Sequence, residues 1–349
     1  MTTSDTHARP GGAGATRPGT ARRVLSSLIA GLLVLALALA ASVMFGSKAT
    51  SLGEVLDVLS GTADPYTATV VESRYPRTAL GVLAGLCLAV AGTLMQGIAR
   101  NPLADPGLLG INAGAAAAIV TASAFLGVSG GAGTVLWALL GSLLAGVVVY
   151  TIGTAGSGSD AGVVRLVLAG AVVSAVLMAY IQAVTLNLPD AFDSYRYWVV
   201  GALGGRDFDV LTSVLPFAAA GLLLALLLAP GLNTLALGEE SATSLGANPV
   251  VLRLGGLVAA TLLSAAATAA VGPIAFVGLA VPHVVRAFVG VDFRAQIAFS
   301  AIAGPALLLL ADVVGRLVVR PQELMVGVVT AFIGAPVLLY AVRRMRGSA

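Results

Sequence analysis

Gly92-Thr-Leu-Met-Gln-Gly-Ile-Ala-Arg-Asn-Pro-Leu-Ala-Asp-Pro-Gly-Leu-Leu-Gly110 decides the reading of this chain. The residues before it are almost all apolar; then Arg100, Asn101, Pro102, Asp105, Pro106 and Gly107 arrive within eight positions. Each proline removes a backbone donor, fixes φ and turns the preceding residue away from the helix. The spacing predicts a sharp non-helical break at a membrane boundary. Backbone of that kind is tolerated in a membrane only where protein buries it or where it lines a wet cavity. A plain anchor has no use for such a break, and a transporter does.

The rest of the chain supports a membrane setting. Of its 349 residues 58% are hydrophobic and 10% charged, against about 25% charged in a soluble domain; mean hydropathy is +0.98. Forty-three glycines suit helices whose backbones approach closely. A net charge of +3, scattered between apolar segments, gives no basic patch for nucleic acid. The single cysteine, Cys87, lies in an apolar helix, reads as a core residue and has no partner for an intrachain disulfide.

Residues 1–23, rich in Thr, Gly, Ala, Pro and Arg without an apolar period, read as a disordered cytoplasmic tail. Arg22-Arg23 could open a signal peptide, but Val24 to Ser47 runs uncharged for 24 residues, longer than the ~7–15 of a signal-peptide core, so a retained span is expected. Ten windows reach or approach the ~20 residues that cross hydrocarbon: 24–46, 78–99, 108–127, 134–153, 163–186, 210–229, 254–271, 273–291, 295–315 and 324–342. An even count puts both termini on one side. With the N-terminus inside, 12 of the 19 basic residues fall inside, which orients both termini to the cytoplasm. A break at 187–193 precedes an expected short interfacial helix over 195–205, carrying Tyr197 and Trp198. Gly81/Gly85, Gly110/Gly114 and Gly201/Gly205 are expected to mark tight packing within the bundle.

Chemistry is sparse. The only lysine, Lys48, sits between Ser47 and Ala49, so no P-loop lysine exists. His7 and His283 are the only histidines, too few for a histidine-based metal site, and 156–160 lacks a nucleophile elbow. Asp312 lies near the outer end of its span with Arg316 one turn on, a spacing that predicts a pair. No ionisable residue stands at mid-membrane where a proton-driven carrier would keep one. Energy for transport is therefore expected from a partner. A lone ion-coupled carrier and an intramembrane enzyme are the competing classes; the second lacks catalytic residues.

Between the sixth and seventh windows lies an insert, 230–253. A short helix is expected there, with Glu239 and Glu240 at its positive end, Gly246 as C-cap and Asn248-Pro249 as a stop. Leu237, Ala242 and Leu245 would form a small apolar face. So short a helix is marginal alone in water and needs something to dock against.

Five stretches, in order, resemble one family: Arg74-Tyr-Pro-Arg77; Gly92–Gly110; Leu237–Gly246; Phe276-Val-Gly-Leu-Ala-Val-Pro-His283; and Ala311-Asp312 through Glu323–Pro336. The chain resembles the FecCD-type permeases, membrane subunits of bacterial ABC importers for iron–siderophores, haem and cobalamin. Thr243 and Ala275 depart from the pattern, where relatives often carry a basic residue and glycine. The resemblance implies an all-α integral membrane protein with the type II importer permease fold over residues 24–346. It implies a second permease subunit (the same chain or a sister), two cytoplasmic ATPases that hold the ATP and magnesium, and an extracytoplasmic solute-binding protein; no cofactor is bound directly. Arg74, Arg77 and Arg316 resemble the arginines that meet the binding protein. Residues 237–248 resemble a coupling helix seated in the ATPase, through Leu237, Glu239, Glu240, Ala242, Leu245 and Gly246. Asn101, Pro102, Asp105, Pro106, Gly107, Pro282 and His283 belong to motifs read as structural. An iron–siderophore complex is the expected cargo, with cobalamin or haem as alternatives.

Overall fold

The computed structural model describes residues 18–46, 48, 50–128, 130–155 and 162–346. Most of the expected tail and the 156–160 loop lie outside the described residues. The chain begins with α1 (Pro18–Met44), two short helices, α2 (Leu52–Ser60) and α3 (Pro65–Glu72), and α4 (Arg74–Ala99). A 3-10 turn, Pro106–Leu109, leads to α5 (Ile111–Leu126), α6 (Gly131–Thr154), α7 (Gly162–Asn187) and α8 (Pro189–Trp198). Then come α9 (Phe208–Ala236), α10 (Glu239–Ser244), α11 (Pro249–Val271), α12 (Val277–Val289), α13 (Phe293–Val318) and α14 (Val326–Arg346). Seven stretches among the described residues are long and apolar enough to cross a membrane, and 111–126, 277–289 and 326–336 are shorter apolar helices. These ten match the ten expected windows in order.

Several boundaries differ from the expectation, each for a local reason. α1 starts at Pro18, so residues 18–23 are helix rather than tail. The short helix after the fifth span is 189–198, not 195–205: Pro189 fits its first turn, Asp190 follows there, and Gly201 and Gly205 adopt positive φ and stop it. α9 runs through Pro230 to Ala236, which shortens the insert at that side; membrane helices absorb prolines because neighbours satisfy the freed carbonyl. The eighth window is helical only from Val277. α2 and α3 were not expected, although a Ser51/Glu54 capping box and an Asp64-Pro65 start announce them.

α4 is the centre of the bundle. Its stretch is 78% buried, against 6% for α1. Small residues make this possible. A Cβ on Gly85 would lie 2.6 Å from the Gly304 carbonyl oxygen of α13, and one on Gly92 only 1.9 Å from the Gly278 carbonyl oxygen of α12. Gly114 and Gly141 bring α5 and α6 equally close. Of the six glycines expected to pack helices, Gly81, Gly85 and Gly114 do so; Gly110, Gly201 and Gly205 instead take left-handed turns.

The 92–110 stretch breaks as its prolines dictate, beginning at the insert end of α4. α4 ends on Arg100 in the left-handed conformation (φ 48°), whose N–H bonds to Gln96 and Gly97 carbonyls. The Asn101 side chain accepts from Leu103 N, and the Asp105 carboxylate accepts from Gly107 N at 2.8 Å. Pro106 opens the 3-10 turn and Gly110 (φ 74°) resets the chain into α5. The break then turns back into the bundle: Gly278 faces the Leu88 carbonyl and the Asp105 carboxylate at 3.1 and 3.4 Å from its Cβ position. Leu88 is 11 residues before the end of α4, about 16 Å of helix. A second break, 272–276, precedes α12 and packs on the turn after α8, where Cβ positions on Gly272 and Gly201 lie 2.4 Å from the Trp198 carbonyl oxygen and 2.5 Å from the Pro273 carbonyl oxygen. It leaves α11 through Gly272 (φ 82°) and enters α12 through Phe276 (φ 71°). Gln96 Nε2 donates to the Gly278 and Leu279 carbonyls at 3.3 and 3.2 Å. Pro282 is buried within α12, beside His283, which is half-buried.

Candidate docking and coupling sites

At the end of the bundle where α4 begins, a cavity of about 420 Å³ is lined by Lys48, Tyr66, Arg74, Arg77, Arg206, Arg316 and Glu323, among others. The three expected docking arginines are thus brought together, from α4 and α13. Most of their donors are already engaged, although the buried Arg316 Nε–H has no partner among the described residues. Arg77 holds Asp312 with two bonds, Nε to Oδ2 at 3.0 Å and Nη2 to Oδ1 at 2.7 Å, and reaches Glu323 at 2.7 Å. Arg316 shares the Asp312 Oδ2 with Arg77 Nε, the one-turn pair that the spacing predicted. Arg316 also donates to the Ser42 and Phe45 carbonyls and to the Ser42 hydroxyl. Arg74 donates to the Val43, Met44 and Lys48 carbonyls and to Thr50 Oγ1.

The physical reason is that the last carbonyls of a helix have no partner within it, and a guanidinium brings five donors. Arg74 and Arg316, 6% and 1% exposed, cap the end of α1. Both are buried and tie α1 to α4 and α13. Arg206 differs. It has no bond or ion pair among the described residues, and burial pushes its guanidinium below the ordinary arginine value. Lys48 sits 4.1 Å from the Tyr66 ring centroid. Sequence reasoning singled out neither for this pocket. Arg206 follows Gly204-Gly205 in a turn, and the only signal was its position beyond an apolar run.

At the opposite end lies the insert. Glu239 and Glu240 open α10, and Gly246 (φ 81°) closes it. Ala247 N bonds to the Ala242 carbonyl and Gly246 N to the Thr243 carbonyl, the paired bonds of a Schellman cap. Asn248 then caps α11, accepting from Val250 N and Val251 N with Pro249 in the first turn. The single apolar face expected for the insert is split. Ala242 is fully buried, while Leu237 and Leu245 are 69% and 64% exposed. Glu239 pairs with Arg253 of α11; Glu240 and Gly246 are exposed. The insert end is tied to the core: Arg100 donates to the Leu235 carbonyl at 2.7 Å, and Asn233 bridges to Asp292 and Phe293 N.

A helical bundle with a broken core, a charged pocket at one end and a helical insert at the other is the architecture of a multi-pass membrane protein, and its similarity to known proteins makes it a permease subunit of the ABC-transporter class. The model of the FecCD transport family matches residues 32–344, and the chain belongs to that family. It is 47% identical to the ferric enterobactin transport system permease protein FepD of Escherichia coli over 321 residues, 91% of this chain and 95% of that protein. It is 37% identical to the hemin transport system permease protein HmuU of Yersinia pestis, over 78% of this chain and 82% of that one. A solved metal-chelate-type ABC transporter in an inward-facing conformation superposes with a TM-score of 0.79 at 26% identity, covering 91% of this chain and 99% of the other.

Proposed function

We propose that this chain is the membrane-spanning subunit of an importer that carries an iron–siderophore complex across the cytoplasmic membrane. ATP is hydrolysed, with magnesium, on two partner ATPases, and a solute-binding protein delivers the cargo. The observation that carries the cargo assignment is the near full-length identity to FepD. The absence of any Gly-Lys-Ser/Thr run in the sequence supports placing hydrolysis on a partner. The excess of basic residues on one side supports cytoplasmic termini, which puts the arginine pocket outside and the insert inside.

In this reading the pocket receives acidic side chains of the binding protein. Arg206, with no acidic partner of its own, and Lys48 supply the attraction; Arg74, Arg77 and Arg316 hold the pocket's shape. Rim charges set encounter rate and register more than affinity. The insert docks on the ATPase through Leu237 and Leu245, and the Glu239–Arg253 pair hands its movement to α11. Haem is the second cargo reading, favoured by the HmuU relationship.

Uptake of labelled ferric enterobactin by a deletion strain that expresses this chain with its partners tests the cargo. Accumulation is expected. Accumulation of labelled haem with none of the ferric siderophore would shift the assignment to the second reading.

A further inference from the structure

We propose that the groove between α6 and α11 near the insert end is a binding site for one acyl chain of a phospholipid from that leaflet. Two close contacts bound the groove along α6. At Gly146 a Cβ would lie 2.9 Å from Thr261 Cγ2 of α11, and at Gly153 one would lie 3.0 Å from Leu166 Cα of α7. Six residues, 147–152, lie between them, and the two glycines are about 10 Å apart along the helix. The floor is Leu109, from the 3-10 turn that follows the first break, and the walls include Val147, Leu254 and Val258. The space is about 350 Å³, more than twice the ~150 Å³ of a dry engineered cavity that takes up benzene.

The setting selects the occupant. The groove opens sideways onto helix faces that carry exposed Leu140, Leu144, Val147 and Val258, which in a membrane-spanning bundle meet hydrocarbon. Its walls are apolar, so water gains no partners there. A void would forfeit the dispersion contacts of every lining atom. An acyl chain fills the space and stays continuous with the bilayer. The head end is marked as well. Tyr150 lines the groove one turn before α6 ends, where tyrosine suits the headgroup level.

Because Leu109 belongs to the break, a chain in this groove presses on the segment that Asp105 and Gly107 shape. The inference needs only the membrane setting and stands or falls apart from the cargo assignment. The test places the full chain in nanodiscs with phosphatidylglycerol carrying a photoreactive group at mid-acyl chain, and maps adducts by peptide mass spectrometry. Adducts on Val147, Tyr150 and Val258 are expected at several times the level on Leu223, Leu226 and Leu227, lipid-facing residues of α9. A groove-filling variant, Val147→Trp with Val258→Trp, should lose the groove adducts and keep those on α9. Even labelling of all lipid-facing helices would overturn the proposal. Should the variant not fold, the wild-type adduct map alone decides.

Discussion

Asp312 shows how a few buried charges set the end of the bundle. Its carboxylate lies between Arg77 and Arg316 at 1% exposure, and Arg316 in turn holds α1 through Ser42 and Phe45. Removing one member of a buried ion pair strands the others and costs about 3–5 kcal/mol, whereas an exposed pair is worth ~0–1. Asp312→Ala should therefore lower the thermal midpoint of the detergent-solubilised protein sharply, and Arg196→Ala, which breaks the exposed pair with Asp193, should barely move it. Docking is separable from this clamp: Arg206→Glu should leave the midpoint near wild type and reduce ATPase stimulation by the binding protein. Unchanged stimulation would remove Arg206 from docking. The Asp312–Arg316 pair was legible in the sequence because it is a one-turn spacing. The roles of Arg74 and Arg316 at α1 were not. Their partners are backbone carbonyls, which carry no residue signature, and they lie about 30 and 270 positions away in the chain.

At the scale of elements, the two breaks matter most. The first was visible as Asn101-Pro102 and Asp105-Pro106-Gly107 because proline and glycine act locally. Its depth was hidden, because depth depends on Gly92 and Gly278 meeting across 186 positions of sequence. A methyl group at Gly92 has nowhere to go but into backbone. Overpacking typically costs about 1–3 kcal/mol, and Gly92→Ala should reach the upper part of that range or separate α4 from α12. Gly53→Ala in α2, with only Ser51 Oγ at 3.8 Å, should be neutral or slightly stabilising. Chemical denaturation or thermal melting of the two variants checks this. The insert was largely legible, since its caps are short-range signals. Its orientation was not: only packing against α9 and α11 decides that Ala242 turns inward while Leu237 and Leu245 stay out. Replacing 237–246 by a Gly/Ser loop should leave a folded permease that binds its partners weakly and transports nothing. Normal uptake by that variant would rule out coupling through the insert.

For the whole molecule, ten apolar helices among the described residues and a buried core of small residues make up a permease subunit of the FecCD family. The ten windows could be counted from hydropathy alone. The arrangement of α4 surrounded by α11, α12 and α13, with the turn of the first break against it, emerges only in three dimensions. Arg253, Arg100 and Asn233 tie the insert end to this core, and the arginine pocket lies at the other end of the bundle. The most direct test reconstitutes the purified chain in vesicles, alone and together with its ATPases and binding protein, and follows labelled ferric siderophore. The account predicts uptake only by the full assembly with ATP, and none by the chain alone under an ion gradient. Accumulation by the lone chain would contradict it.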